Sequence, residues 1–325
     1  MEKKKKDFFG IFFETGFYRI GILLVMCLIM ACISNNFFKV SNFLNIFRQS
    51  SVLLILAACA TGCILTHGID NSIGGVMSLC GCACGYFLNN GFSISVSILL
   101  TILIGMIFGC INGFLVGVVK IPPFVSTYGV SYIANGLALM LMGSDIFSGF
   151  PREFRTLASG SVFGFPLITI IALGITIIMY LLFQRSKFGK AVYCVGANYT
   201  TAKYSGINTL LTLFIVYIIS GSGAAMGGIL QVARQSAAQA GMGDTFQMTA
   251  IASIVIGGTS MAGGEGSVFG AIIGALVLTL IVNAMNLLGV PALAQSIATG
   301  AIIVLAVLLD VQMKKIQSAR AATSA

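Results

Sequence analysis

Charge is what this chain has least of. Asp, Glu, Lys and Arg make up 8% of its 325 residues, against 58% apolar residues and a mean hydropathy of +1.02. A water-facing globular surface carries far more charge than that, so lipid must cover most of the folded chain. Long polar stretches are missing too. The longest region without a clear apolar run lies around 184–209, too short for a soluble catalytic or receptor domain. No glycine-rich phosphate loop is present, because the one Gly-Lys pair, Gly189-Lys190, is followed by Ala191 and not by Ser or Thr. Serine, histidine, cysteine and carboxylate residues fall at no spacing that would make an enzyme site. Acids inside the apolar runs are also lacking: Glu2, Asp7, Glu14, Asp70, Asp145, Glu153, Asp244, Glu265 and Asp310 sit in tails, breaks or run edges, and the single histidine, His67, sits at a break. Buried acids are the usual mark of proton or sodium coupling within a membrane. An internal ion relay is therefore disfavoured, with a broken helix near Asp70 as the one place left for it.

What is present is a series of apolar runs, near 18–36, 44–66, 72–89, 92–118, 124–143, 165–183, 210–232, 247–262, 266–288 and 292–311. Each approaches the ~20 residues that a helix needs to cross the hydrocarbon core. The expected fold is all-α, a polytopic helical membrane protein of about ten transmembrane helices, with 18–311 as the membrane domain and 1–17 and 312–325 as tails. An even number of spans puts both termini on one side. If that side is the cytoplasm, thirteen of the 18 basic residues, including Lys3 to Lys6, Lys120, Lys187, Lys190 and Lys203, lie inside, and Lys39, Arg48, Arg152, Arg155 and Arg234 lie outside or near that edge. This asymmetry follows the positive-inside rule. It explains the net charge of +9 without a nucleic-acid partner. The Lys3 to Lys6 cluster has no long apolar core and no cleavage site behind it, so it reads as a retained tail, not a signal peptide.

Small residues shape the runs. Pro122, Pro123, Pro151, Pro166 and Pro291 fall between spans or at span starts, where a missing N–H costs little. Gly105, Gly109, Gly113 and Gly117 recur every four residues, a stripe that permits close helix contact. Cys80, Cys82 and Cys84 do not share one helical face, which favours packing over a thiolate metal site. An apolar run, a glycine-rich break and a second small-residue run occur at Ala57 to Gly85 and again at Ile251 to Ala275, which suggests a parallel internal repeat.

Polar motifs interrupt this background. Asp70, Asn71 and Ser72 in GIDNSIGG (68–75) can cap the next helix or line a solute pathway. In KIPPFVSTYG (120–129) the prolines force an extended entry, after which Thr127, Ser131 and Asn135 recur on one helix face, to meet solute hydroxyls or bond between helices. In SKFGKAVYCVGANYTTAKYSGIN (186–208), Asn198 can cap a short helix from Tyr199 to Tyr204 that Ser205-Gly206 ends. In VIGGTSMAGGEGSVFGAIIGA (255–275) the glycines permit a tight reversal, with Ser260 or Ser267 free to cap.

Together these segments, with Asn283, Asn286 and the Leu309-Asp310 ending, resemble the ribose-type permeases of bacterial ABC sugar importers over nearly the whole chain. Asn71 stands where that family usually has leucine. The resemblance implies a non-enzymatic subunit of the cell (inner or plasma) membrane that moves a simple sugar by alternating access. It implies no cofactor in this chain, since ATP and Mg would be bound by a separate ABC ATPase subunit. The other implied partners are an extracytoplasmic sugar-binding protein and a second permease copy, identical or related. The loop 184–209 would be the cytoplasmic coupling loop, with Gly189, Gly196, Asn198, Ala202, Ser205 and Gly206 at the ATPase contact and small Ala202 allowing close approach. Bulky residues at Gly196 or Ala202 are then expected to uncouple uptake. Asp70, Asn71, Ser72, Thr127, Ser131, Asn135 and Asn283 are the candidates for pathway or gate. The rival readings are the same architecture for a nucleoside, a branched-chain amino acid or a furanosyl signalling molecule, an ion-coupled secondary transporter or channel, and a structural membrane scaffold.

Overall fold

The structure, a computed structural model, describes residues 18–308 apart from 35, 144, 292, 303, 306 and 307. The Lys3 to Lys6 cluster, both tails and Leu309-Asp310 lie outside the described residues. Each expected span contains a helix: α1 (Tyr18–Ile33), α2 (Val40–Leu65), α3 (Ile73–Asn89), α4 (Ile94–Gly117), α5 (Pro123–Met142), α7 (Leu167–Arg185), α10 (Thr209–Gln235), α11 (Asp244–Ile256), α12 (Val268–Leu287) and α13 (Leu293–Ile302). By length and composition, α2, α4, α5, α7, α10 and α12 can cross a membrane, and the other four are shorter apolar helices. Three further helices, α6 (Arg152–Ser159), α8 (Lys187–Ala197) and α9 (Tyr199–Tyr204), lie between spans.

Two boundaries differ from expectation. The eighth span was placed at 247–262 but α11 ends at Ile256, because Gly258 turns into the left-handed region at φ 78° and the backbone leaves the helix. The expected loop at 184–209 is mostly helical. Its Ser186 hydroxyl accepts from Gly189 N at 3.0 Å and starts α8. Gly189 and Gly196 lie inside α8, pressed against neighbouring backbone.

Burial sorts the helices into layers. In α2, α10 and α12, 67% of the most apolar 18 residues are buried, against 28% in α4 and α7. The first three form the inside of the bundle, and α4, α5 and α7 turn long apolar faces outward. The glycine stripe of α4 is the seam to α10: Gly105 faces the carbonyl of Gly221, Gly109 that of Tyr217, and Gly113 the Cα of Phe214. No side chain fits there, and the two backbones meet directly.

Two ends follow from the connections. At one, the breaks 66–72 and 257–267 meet: Gly264 N donates to Leu65 O at 2.9 Å and His67 Nδ1 lies 2.7 Å from Ala262 O. The breaks share an end, so the α2–α3 and α11–α12 segments run in the same direction, as a parallel repeat requires. At the opposite end, β1 (Phe147–Ser148) pairs antiparallel with β4 (Ala237–Ala238), and β2 (Ser161–Val162) pairs with β3 (Phe165–Pro166).

Candidate functional site

The breaks hold the most polar interior. Asp70 is 2% exposed, and its carboxylate accepts from the Ser72 hydroxyl (2.6 Å) and Ser72 N–H (2.9 Å) on Oδ1 and from the Ser220 hydroxyl (2.6 Å) on Oδ2. Asn112 Nδ2 donates to Ser72 Oγ at 2.7 Å, extending the network into α4. Ser220 lies eleven residues into α10, about 16 Å along a helix rising 1.5 Å per residue. Asp70 is therefore outside any helix, in a break as expected, yet deep in the bundle. The capping expectation is also revised: Ser72 makes no side-chain cap for α3, and its hydroxyl turns back to Asp70.

Thr127 of α5 joins this cluster. Its hydroxyl accepts from Asn71 N at 2.9 Å and lies 3.2 Å from Ile69 O and 2.8 Å from Pro123 O. Several buried polar atoms around the break have no partner among the described residues: both amide atoms of Asn71, Asn112 Oδ1 and the Tyr217 hydroxyl. That hydroxyl stands over Gly68, where a Cβ would come within 2.7 Å. Further along α5 the same face reaches α11, with Ser131 Oγ 3.5 Å from Gln247 Oε1 and Asn135 Nδ2 donating to Asp244 Oδ1 at 3.1 Å. Asn283 is elsewhere, in a reciprocal amide pair with Asn42 (2.9 and 3.2 Å) that ties α12 to α2.

Above the breaks sits the α8–α9 pair. Asn198 Oδ1 accepts from Thr201 N at 2.9 Å and caps α9, and Gly206, at φ 83°, follows its end at Ser205. Gly189 packs against the Phe183 carbonyl, and Gly196 packs against the Leu65 carbonyl and Gly264 N. Tyr193 of α8 donates to Gly266 O at 2.8 Å. Burial pushes its phenol up, against a hydrogen bond from Gln184 that lowers it, so it stays a neutral donor at physiological pH. Ala202 is 4% exposed and packed with Val195, Leu213 and Ile207. It faces its own chain, so the small face expected at the partner contact is instead internal. The outward face of this pair carries Asn198, Tyr199, Lys203, Tyr204, Ser205 and Gly206. A cavity of 450 Å³ lies beneath, lined by His67, Gly68, Pro123, Gly196, Asn198 and Tyr217 among others.

A second cavity, of 810 Å³, opens between α2, α11, α12 and α13 and takes in Arg234 at the end of α10. Sequence reasoning did not single it out, nor Ser220 and Asn112 around Asp70. The available signal was a polar face inside an apolar run: Asn45, Arg48 and Gln49 share one side of α2. Among the described residues no three His, Cys, Asp or Glu side chains come together as a metal site.

A family model described as branched-chain amino acid transport system / permease component matches residues 42–307. The D-allose transport system permease protein AlsC of Escherichia coli strain K12 is 34% identical over 311 residues, covering 94% of this chain and 95% of that protein. The ribose import permease protein RbsC of the same strain is 34% identical over 292 residues, 89% of this chain and 91% of its own. The autoinducer 2 import system permease protein LsrC of Yersinia pseudotuberculosis is 32% identical over 292 residues, 90% and 83% of the two chains. A solved inward-facing metal-chelate type ABC transporter is 17% identical, with a TM-score of 0.47 and coverage of 93% and 99%. The chain thus belongs to the permease-component family that contains the ribose-type ABC sugar permeases, and is a multi-pass membrane transport protein with no enzymatic role of its own.

Proposed function

We propose that this chain is the membrane subunit of an importer for a simple sugar of the ribose, allose or galactose kind, driven by a separate ATPase and fed by an extracytoplasmic binding protein. The observation that carries the reading is the seat of the α8–α9 pair. Gly196 lies on the Leu65 carbonyl, and Gly264 donates to that same carbonyl, so one helix pair touches both breaks at once. A force applied to its exposed face would reach Asp70 through the 66–72 break and α11 and α12 through the 257–267 break. Packed cores respond to such displacement by switching between discrete arrangements, and only contacts that differ between the two arrangements can bias them.

In this reading the α8–α9 end is cytoplasmic, both termini lie on that side, and a second permease copy completes the pathway. Ser131 and Asn135 let α5 and α11 move together while Thr127 ties α5 to the 66–72 break, and the Asp70 network is broken and remade as access changes. Reconstitution of the chain with its ATPase and binding protein in proteoliposomes tests it. ATP-dependent accumulation of labelled ribose, allose or galactose is expected. Flux driven by an ion gradient with no ATPase present would sink the proposal in favour of a secondary transporter. Accumulation of autoinducer 2 alone would keep the architecture and replace the sugar.

A further inference from the structure

We infer that the 810 Å³ cavity between α2, α11, α12 and α13 is a solute-binding chamber within a single copy of this chain, shaped for a polyhydroxylated molecule of monosaccharide size. The inference rests on the transport reading above and adds to it a place and a recognition chemistry. In a chain with 8% charged residues, this one cavity gathers Arg48, Arg234 and Asp244 together with the amides of Asn45, Gln49 and Asn286. Arg234 and Asp244 stand at the ends of α10 and α11, but Arg48 lies about 12 Å along α2 from its start, where an ionisable side chain is costly and marks a solute path. Neither guanidinium has an ion-pair or hydrogen-bond partner among the described residues. Gln49 Oε1, shielded from the surface, has none either. Asp244 accepts from Asn135 and makes no ion pair with either arginine among the described residues.

Arginine forks, side-chain amides and threonine hydroxyls around one aromatic ring, Phe246, are the donors and acceptors that vicinal hydroxyls and an apolar sugar face need. The volume suits a small ligand with bound water. The chamber is also polarised. Its polar residues on α2 lie near that helix's start, and Leu53 and Leu278 line it on the side nearer the two breaks. It therefore opens away from the α8–α9 end, towards the side from which a binding protein would deliver solute.

The test uses the complete transporter in proteoliposomes, with radiolabelled ribose, allose and galactose as probes. Arg48→Ala and Arg234→Ala are each expected to lower accumulation about tenfold or more, as loss of a charge-assisted hydrogen bond does, while the ATPase subunit still co-purifies. Thr249→Cys, read by mass spectrometry of its own peptide, is expected to react with a charged, membrane-impermeant methanethiosulfonate from the binding-protein side. Sugar-loaded binding protein should slow that reaction severalfold. Wild-type accumulation in both arginine variants, or a Thr249→Cys that stays unlabelled in a transporting complex, overturns the chamber. If the wild-type complex moves no sugar with ATP, the transport reading is what fails. Labelling of Thr249→Cys from water still decides whether the cavity is an aqueous site or a lipid-filled gap.

Discussion

At the scale of single residues, the interior polar groups divide into those with partners and those without. Asp70 has three donors and, among the described residues, no cation beside it, so each donor matters more than it would at a surface. Ser220→Ala leaves Oδ2 bare, and the expected cost is about 1–3 kcal/mol of stability, read as a lower unfolding temperature of the detergent-solubilised protein. An unchanged temperature would mean that the carboxylate is not held by α10. Asn283 gives the complementary case. Asn283→Leu leaves the buried Asn42 Oδ1 without its donor, though Asn42 Nδ2 keeps the Phe37 carbonyl at 3.0 Å, whereas Asn42→Leu with Asn283→Leu removes both amides of the pair. The double variant is expected to be more stable than the single one, because orphaning one group costs more than deleting a pair; additive losses would refute the pairing. Asp70, Asn71, Ser72 and Thr127 were legible in the sequence because each sits in a compact polar motif beside a break. Ser220 and Asn112 were not, because one polar residue in a long apolar run gains meaning only from what folding brings against it.

At the scale of elements, helix existence was read well and helix ends less so. Apolar length alone marks a span, which is why all ten runs hold helices. The ends depend on local backbone: Gly258 stops α11 early, while Gly189 and Gly196 sit within α8 because close packing rewards their lack of a side chain. The α9 helix was legible from its Asn198 cap, but which of its faces is free was not, since that depends on α10 packing against it. The consequence is a revised expectation for the coupling element. Ala202→Trp must force a ring between Val195 and Leu213 and should destabilise the protein by about 1–3 kcal/mol or more, lowering uptake by misfolding and not by uncoupling. Tyr204, 87% exposed, can be changed to Ala with a stability effect within about 0.5 kcal/mol. Tyr204→Ala is therefore the cleaner probe: unchanged thermal stability with weakened ATPase co-purification and uptake is expected. Full uptake in Tyr204→Ala and in Tyr199→Ala would remove this face from the partner contact.

At the scale of the whole molecule, the two ends carry different chemistry, and their assignment to sides of the membrane governs every functional claim. One end bears the α8–α9 pair and both breaks; the other bears the β1–β4 pairing and the β2–β3 hairpin, whose tip residue Phe163 is fully exposed. The 27 residues of α10, about 40 Å at 1.5 Å per residue, separate them. Among the described residues the basic residues divide almost evenly, with Arg19, Lys120, Arg185, Lys187, Lys190 and Lys203 towards the first end and Lys39, Arg48, Arg152, Arg155 and Arg234 towards the second, so the orientation calls for a direct measurement. Phe163→Cys and Tyr204→Cys, each followed on its own peptide, turn this into a measurement. In intact cells stripped of any outer barrier, an impermeant thiol reagent is expected to reach Phe163→Cys and to leave Tyr204→Cys unmodified until the membrane is permeabilised. The reverse pattern would place the α8–α9 pair outside, where no cytoplasmic ATPase could meet it, and would turn the mouth of the 810 Å³ cavity towards the cytoplasm. Import powered through α8–α9 and solute entry through that cavity stand or fall together on this orientation, because the bundle fixes the two at opposite ends.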